Sequence, residues 1–433
     1  MGRRKNNSPD INLNLNVRGL PLSATLAINE KCDILKKEGR RVYKLGLGQS
    51  PFPVPQSVVD ALKVNAHQKE YLAVRGLFQL REAVADYHRR SQGISHDAED
   101  VLIGPGSKEL MFLLQLVYYG DLVIPTPSWV SYAPQAHIIG RHVRWLPTHK
   151  ENNWKLTADE LLAHCKNDPA KPRIVILNYP ANPSGMTYTM DELKAIAKVA
   201  FNHKIILLSD EIYGELHHRG KHVSIARFYP EGTIISGGLS KWCGAGGWRL
   251  GTFTFPRSLR WLLDAMAVVA SETFTATSAP IQYAAVRAFV GGIKIENYLW
   301  NCRIILRRLA RLLVAKLKNA GVDVPDPDGA FYLFPDFSSV KDKFAEKNIK
   351  TGLDLAHKLL NETGVAILPG ISFGRPENEL TARIAYVDFD GIKALSASEQ
   401  IKSEKEIDED FLKTYCGNTI DAIDLICDWL KSK

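Results

Sequence analysis

Short apolar runs separated by amphipathic stretches dominate the middle of the chain. Residues 101–103, 122–124, 173–178, 205–209, 233–236 and 250–255 each read as a strand. Between them apolar positions recur at helical spacing, as over 77–88 and 108–117. Strands so short and continuously apolar have both faces covered, and alternation with helices is how parallel strands are joined. The pattern predicts an α/β fold with a mostly parallel sheet, covered by helices on both faces, over residues 61–295. Upstream, residues 23–38 place Ala24, Leu26, Ala27, Ile28, Ile34 and Leu35 on helical periods, and 42–47 read as a strand. Beyond 291 come a long basic helix, an apolar strand at 331–334, a helix at 351–363, strands at 366–368 and 383–387, and a last helix at 420–430. These flanks, 17–60 and 296–433, are expected to form a smaller α+β domain. Residues 1–16 are polar and Asn-rich and read as a flexible tail. Residues 395–412 read as a charged surface insertion.

Length supports two domains, because 433 residues exceed what one core usually serves. The formal charge of +8 suggests attraction to anions but names no partner. Lys and Arg are scattered rather than gathered on one segment, which argues against nucleic acid. The densest run, 303–311, falls at helical spacing and reads as a solvated helix face. The six cysteines form no CxxC pair, so free thiols in a reducing compartment are expected. The basic N-terminus lacks the apolar run of a secretory signal, and no uncharged apolar stretch is long enough to span a bilayer. A cytoplasmic protein with no membrane partner is the expectation.

Four segments at predicted strand ends carry candidate chemistry, since open α/β sheets bind ligands there. In SGGLSKWCGAGGWRLG (236–251), Lys241 lies among glycines, with Arg249 eight residues on. A lysine forms an imine only when deprotonated, and an arginine fork suits a phosphate; a surface lysine in a flexible loop fits the spacing equally well. In ILLSDEIYGEL (206–216), Asp210 follows an apolar run and Tyr213 comes three residues later. Asp210 could pair with a protonated ring nitrogen or cap a helix. In ILNYPANPSGMTY (176–188), Asn182 projects from a proline-rich loop that could also be a plain turn. In LIGPGSKELMF (102–112), Gly104, Gly106 and Ser107 precede a helix and could offer backbone N–H groups to an anion, without the spacing of a Walker A loop.

Together these blocks resemble the fold-type I pyridoxal-phosphate (PLP) enzymes, specifically the class I/II aminotransferases. The resemblance runs from about residue 18 to 391 through SATLAINEKCDILKKEG, YLAVRGLFQLREAVADYH, PTPSWVSY, NYPANPSG, SDEIYGEL, SKWCGAGGWRLG, DGAFYLF and ILPG…ARIAYV. It implies a seven-stranded, mostly parallel sheet and a homodimer with shared active sites. It implies that Lys241 is the Schiff-base lysine and general base, that Asp210 pairs with the pyridinium nitrogen, and that Tyr213 and Asn182 bond the phenolic oxygen. Trp129 would stack on the ring. Gly106, Ser107, Lys108 and Arg249, with Ser240 possible, would cradle the phosphate, and Tyr71 would reach it from the neighbouring subunit. Arg383 would take the substrate α-carboxylate, with Gly48 bordering the substrate through its backbone. An arginine opening an apolar strand is costly without a partner, which favours a ligand role. His217, His218 and His222 near Glu215 read as a solvated strand end, and the family uses no catalytic metal.

The sequence resembles bacterial aspartate/prephenate-type aminotransferases but departs from them. They place lysines where Pro21 and Ser107 stand here, and their GEPDF loop is GQSPF (48–52). Arg75 or Lys108 is therefore expected to read a second carboxylate, if the substrate has one; an exposed arginine before a helix is the alternative for Arg75. A β-lyase acting on cysteine conjugates on the same fold, and a non-catalytic PLP-binding module, are the competing functions. The second would need an added DNA-binding domain, which a 16-residue tail cannot supply.

Overall fold

The computed structural model describes residues 12–344, 347–401 and 403–432. Most of the predicted tail, residues 1–11, lies outside them, and the described remainder, 12–16, is exposed. Seven strands form the central sheet: β1 (Val101–Gly104), β2 (Asp121–Thr126), β3 (Val143–Pro147), β4 (Arg173–Asn178), β5 (Ile206–Asp210), β6 (Thr233–Gly238) and β7 (Gly251–Thr254). Their order is β1-β7-β6-β5-β4-β2-β3, with only β7 antiparallel to its neighbours. The short apolar runs thus become strands within a residue or two of their expected limits. β3 was not foreseen: it is an edge strand whose central residues Arg144 and Trp145 are exposed, so it lacks an apolar run.

Alternation along each strand divides the core into two faces. Ile174 and Ile176 of β4 pack with Leu208, Ile234 and Phe253 against Leu110, Leu114, Leu262 and Met266 of the helices Ser107–Val117 and Arg260–Glu272. Val175 and Leu177 face the opposite way, with Leu207, toward Leu161, Leu193, Ile196 and Ala200 of Ala158–Cys165 and Met190–Asn202. Two helices, Ala158–Cys165 and Met190–Asn202, open on capping boxes, Thr157 with Glu160 and Thr189 with Glu192.

The flanking segments come together beside this sheet. Tyr43–Lys44 pairs in parallel with Val365–Ala366, so the start and end of the chain share one element. Leu368–Pro369, Ala382–Ala385 and Tyr332–Leu333 form a second, antiparallel sheet in that order. The helix Ile293–Asn319 packs against Glu409–Lys431. One continuous apolar cluster joins Tyr213, Leu239 and Trp242 of the large sheet region to Phe331 and Tyr332 of the small sheet.

One expectation is sharpened and another corrected. The charged segment 395–412 lies mostly at the surface, but it is anchored to the body of the protein. Its ends lie in the helices Gly391–Ser398 and Glu409–Lys431, Ile407 is fully buried, and the Ile407 carbonyl accepts a 2.8 Å bond from Arg308 Nε. Its charges answer those of the basic helix, Glu404 pairing with Arg307 and Arg311. The arginines of 303–311 are accordingly not simply solvated: Arg303 binds Glu215 with both side chains largely buried.

All six cysteines are buried and unpaired. No helix among the described residues is long and apolar enough to cross a membrane.

Candidate active site

The expected site residues converge on one edge of the sheet. β1, β2, β4, β5 and β6 all end there, followed by Ser107, Trp129, Asn182, Tyr213 and Lys241 respectively, with Asp210 as the last residue of β5. β7 runs the other way, so its beginning lies at that same edge and brings Arg249 with it. Together with Gly48, Lys108, Ser240 and Arg383 these residues line a cavity of about 410 Å³.

Lys241 is the centre of this cavity. Its Nζ donates a 2.7 Å hydrogen bond to the carbonyl of Gly48 and lies 5.7 Å from the centre of the Tyr213 ring. Burial brings the amine down to about 8, assisted by the charges of Arg383 and Arg249 and opposed by Asp210. At neutral pH roughly a tenth of it is the free base, against roughly three parts in ten thousand for an ordinary lysine.

Asp210 is buried between Tyr132, whose hydroxyl donates to Oδ2 at 2.5 Å, and Ser236, which donates to Oδ1 at 3.3 Å. It caps no helix. Burial pushes its carboxyl up to about 6, against the pull of these bonds. It is still mostly ionised at neutral pH, and a cation brought to it would stabilise that form further.

Arg383 is almost wholly buried, 1% exposed, and its guanidinium lies between the rings of Tyr332 (4.8 Å) and Phe373 (5.0 Å). Nη1 donates to Asn182 Oδ1 at 3.0 Å and Nη2 donates to the Gly46 carbonyl, while Nε has no partner. It has no carboxylate partner among the described residues. A buried cation without a counter-charge is costly, and an incoming anion would relieve that cost. Asn182, with its oxygen on Arg383 and its backbone N–H on Asn178 Oδ1 at 2.7 Å, keeps its amide N–H₂ as a donor.

Trp129 is half-buried, with Tyr132 edge-on at 5.2 Å and Lys108 Nζ 5.1 Å from its ring centre. Lys108 and Arg249 stand at the open rim. Gly106 has φ +95° and gives Arg249 its room, because a Cβ there would meet the Arg249 guanidinium. Gly106→Ala is therefore expected to displace the Arg249 guanidinium and to destabilise the fold by about 1–3 kcal/mol through backbone strain. Thermal unfolding measures this; an unchanged Tm would mean that the turn accepts a side chain.

Two expected residues stay outside the cavity. Arg75 donates to Asp264 at 2.5 Å and to Glu99 at 3.3 Å, so its charge is matched within its own chain, and it does not line the cavity. Tyr71 is 92% exposed and does not line the cavity of its own chain. The histidines are not grouped around a metal position among the described residues. His222 bonds Glu211 at 2.8 Å and His218 bonds the carbonyls of Pro327 and Ala330, so these are buried structural contacts rather than a solvated end. Tyr332, Thr25, Leu26 and Leu47 line the cavity without having been anticipated. For Tyr332 the only signal was its place in DGAFYLF, where it reads as one more apolar strand position.

A partly neutral lysine, a carboxylate awaiting a cation and an arginine awaiting an anion, all at one sheet edge, define an enzyme that works on a bound amino or carbonyl compound. Residues 40–394 match the family model "Aminotransferase class I and II", and the chain belongs to that family. It is 34% identical over 380 residues to an aspartate aminotransferase of Geobacillus stearothermophilus, covering 86% of this chain and 93% of that one. It is 32% identical to an asparagine–oxo-acid transaminase of Streptococcus mutans, covering 84% and 92%. Among solved structures, the aspartate aminotransferase from Thermus thermophilus with maleate superimposes with a TM-score of 0.82 at 27% identity, over 97% of this chain and 100% of that one. The chain is thus a pyridoxal-phosphate-dependent aminotransferase of fold type I. The cavity fits that cofactor in the two respects its chemistry demands: an amine partly neutral at pH 7, and a buried carboxylate, mostly ionised at that pH, that a cationic ring nitrogen would match.

Proposed function

We propose that this aminotransferase takes its amino group from an acidic L-amino acid and passes it to a 2-oxo acid. The supporting observation is the charge of the cavity. Lys108, Lys241, Arg249 and Arg383 line it against one carboxylate, Asp210. The cofactor phosphate matches Arg249 and the free backbone donors at the start of Ser107–Val117, with Gly106 and Ser240 beside them. The substrate α-carboxylate matches Arg383. Lys108, which was also expected at the phosphate, is then left for a further acidic group. Two relatives are named for aspartate and asparagine, and the Thermus enzyme is described with maleate, a dicarboxylate.

Pyridoxal phosphate, when bound, supplies an aldehyde carbon for the amino group and a ring that draws electrons from the α-carbon. The protein's part is to place groups around it. Asp210 would hold the proton of the ring nitrogen, Tyr213 and Asn182 would donate to the ring oxygen, and Trp129 would cover one face. Lys241, poised near neutrality, would take the proton from the α-carbon and return it two atoms away, to the carbon on the far side of the nitrogen. Arg383 would fix the carboxylate so that this proton faces Lys241.

The exposure of Tyr71 supports a homodimer in which this residue completes the partner's site, and the shared element of residues 43–44 and 365–366 supports a small domain built from both ends of the chain.

The test is a spectral titration of the loaded enzyme, adding one amino donor at a time. Acidic donors are expected to convert the visible band at the lowest concentrations. Lys108→Met is expected to raise KM for acidic donors about 10- to 100-fold and to leave neutral donors unchanged. An equal effect on both would defeat the assignment of Lys108. Release of pyruvate and ammonia from a cysteine conjugate in place of amino transfer would overturn the proposed reaction.

A further inference from the structure

Tyr213 and Tyr332 bring their hydroxyls to within 2.7 Å of each other, and both rings are buried. They come from opposite parts of the fold. Tyr213 follows β5 in the large sheet region, and Tyr332 opens the middle of the small sheet's edge strand Tyr332–Leu333. Two phenols in contact share one proton in the bond and leave the second to point elsewhere. The surroundings decide which. The Arg383 guanidinium lies 4.8 Å from the centre of the Tyr332 ring, and a cation over a phenol makes it the better donor. Burial raises both groups and Arg383 acts to lower both, but their mutual contact raises Tyr213 and lowers Tyr332.

Tyr332 also touches the other side of the lysine. A Cβ at Gly48 would run into the Tyr332 hydroxyl, so the two are in direct contact, and the Gly48 carbonyl is the acceptor of the Lys241 amine. One side chain thus abuts Tyr213, Gly48 and Arg383, which are three of the groups the reaction needs in fixed relation.

We propose that Tyr332 is a positioning residue: its hydroxyl donates to Tyr213, so that the Tyr213 proton is aimed into the cavity at the ring oxygen of the cofactor. The proposal rests on the role given to Tyr213 above. A donor at that oxygen stabilises its anionic form and loosens its hold on the proton of the neighbouring nitrogen. Loss of the donor, or of its aim, raises the pH at which that proton leaves.

The readout is the pH midpoint of the visible absorbance of the loaded enzyme, for the wild type, Tyr213→Phe, Tyr332→Phe and the double variant. Tyr332→Phe keeps the ring beneath Arg383 and removes only the hydroxyl. The midpoint is expected to rise by about one pH unit in Tyr213→Phe and by about half as much in Tyr332→Phe. In the double variant it should equal that of Tyr213→Phe alone, because Tyr332 acts only through Tyr213. Tyr332→Phe should also lower kcat several-fold with KM for the amino donor unchanged, since the ring that supports Arg383 remains. A wild-type midpoint in Tyr332→Phe, or summed shifts in the double variant, would overturn the relay. A wild-type midpoint in Tyr213→Phe would overturn the role of Tyr213 and the relay with it. Failure of the proposed substrate class, by contrast, would show in the donor titration and leave these midpoints in place.

Discussion

Lys241→Met is expected to abolish amino transfer, by at least three orders of magnitude, and at the same time to stabilise the cofactor-free protein near neutral pH. The loss follows because methionine neither carries the amino group's partner nor moves the proton; general-base catalysis alone contributes about 10²- to 10⁴-fold. The gain follows from the sign of the pKa shift. The Lys241 amine is lowered to about 8 from an ordinary 10.5, so the folded protein holds its proton less tightly than the unfolded chain. The cost of burying the charge is therefore fully present below pH 8 and fades as the pH rises to 10.5. Methionine fills nearly the same volume without the charge. The cavity beside the amine admits water, so the expected gain is on the order of 2 kcal/mol rather than the whole of the shift. Thermal unfolding of the two cofactor-free proteins at pH 7 and pH 10 measures it: the difference in Tm should be clear at the first and small at the second. Lys241→Arg is the control, because arginine keeps the charge at both pH values and should be inactive without being stabilised. A Tm difference that did not change with pH would mean that the amine is not held near neutrality.

The chain's pattern made the sheet legible because buried parallel strands must be apolar at every position, as in Ile206-Leu207-Leu208. It did not reveal β3, whose exposed Arg144 and Trp145 carry no such demand. The residues that follow strand ends were legible because the topology sends them all to one edge. Arg249 joined them only because β7 is reversed, which no local pattern announces. The ion pair of Arg75 was not legible because its partner Asp264 lies 189 residues away and contacts so distant leave no periodic trace. The anchoring of 395–412 was not legible for a related reason: its Glu404 is matched by Arg307 and Arg311 on a helix nearly a hundred residues earlier. Tyr332 was passed over because a hydroxyl facing a cavity and one facing a core look alike in an apolar strand.

Arg383→Lys is expected to reduce kcat/KM by two to three orders of magnitude for acidic and neutral donors alike, chiefly through KM, with cofactor retention unchanged. The native guanidinium spends one nitrogen on Asn182 and another on the Gly46 carbonyl, and lies flat between Tyr332 and Phe373. A lysine brings one charge to the same place but cannot serve both acceptors, fill the aromatic slot and still offer a planar fork. Truncating one member of a buried charged pair costs about 2–5 kcal/mol, which sets the scale of the loss. The cofactor should stay bound because neither Asp210 nor the Ser107 helix start depends on Arg383. The pattern across donors carries the inference. Every amino acid has an α-carboxylate, so loss of its reader penalises all of them equally, whereas Lys108→Met penalises only those with a second acid. If the loss in Arg383→Lys were confined to acidic donors, Arg383 would be the reader of the distal group, and the substrate would lie in the cavity the other way round.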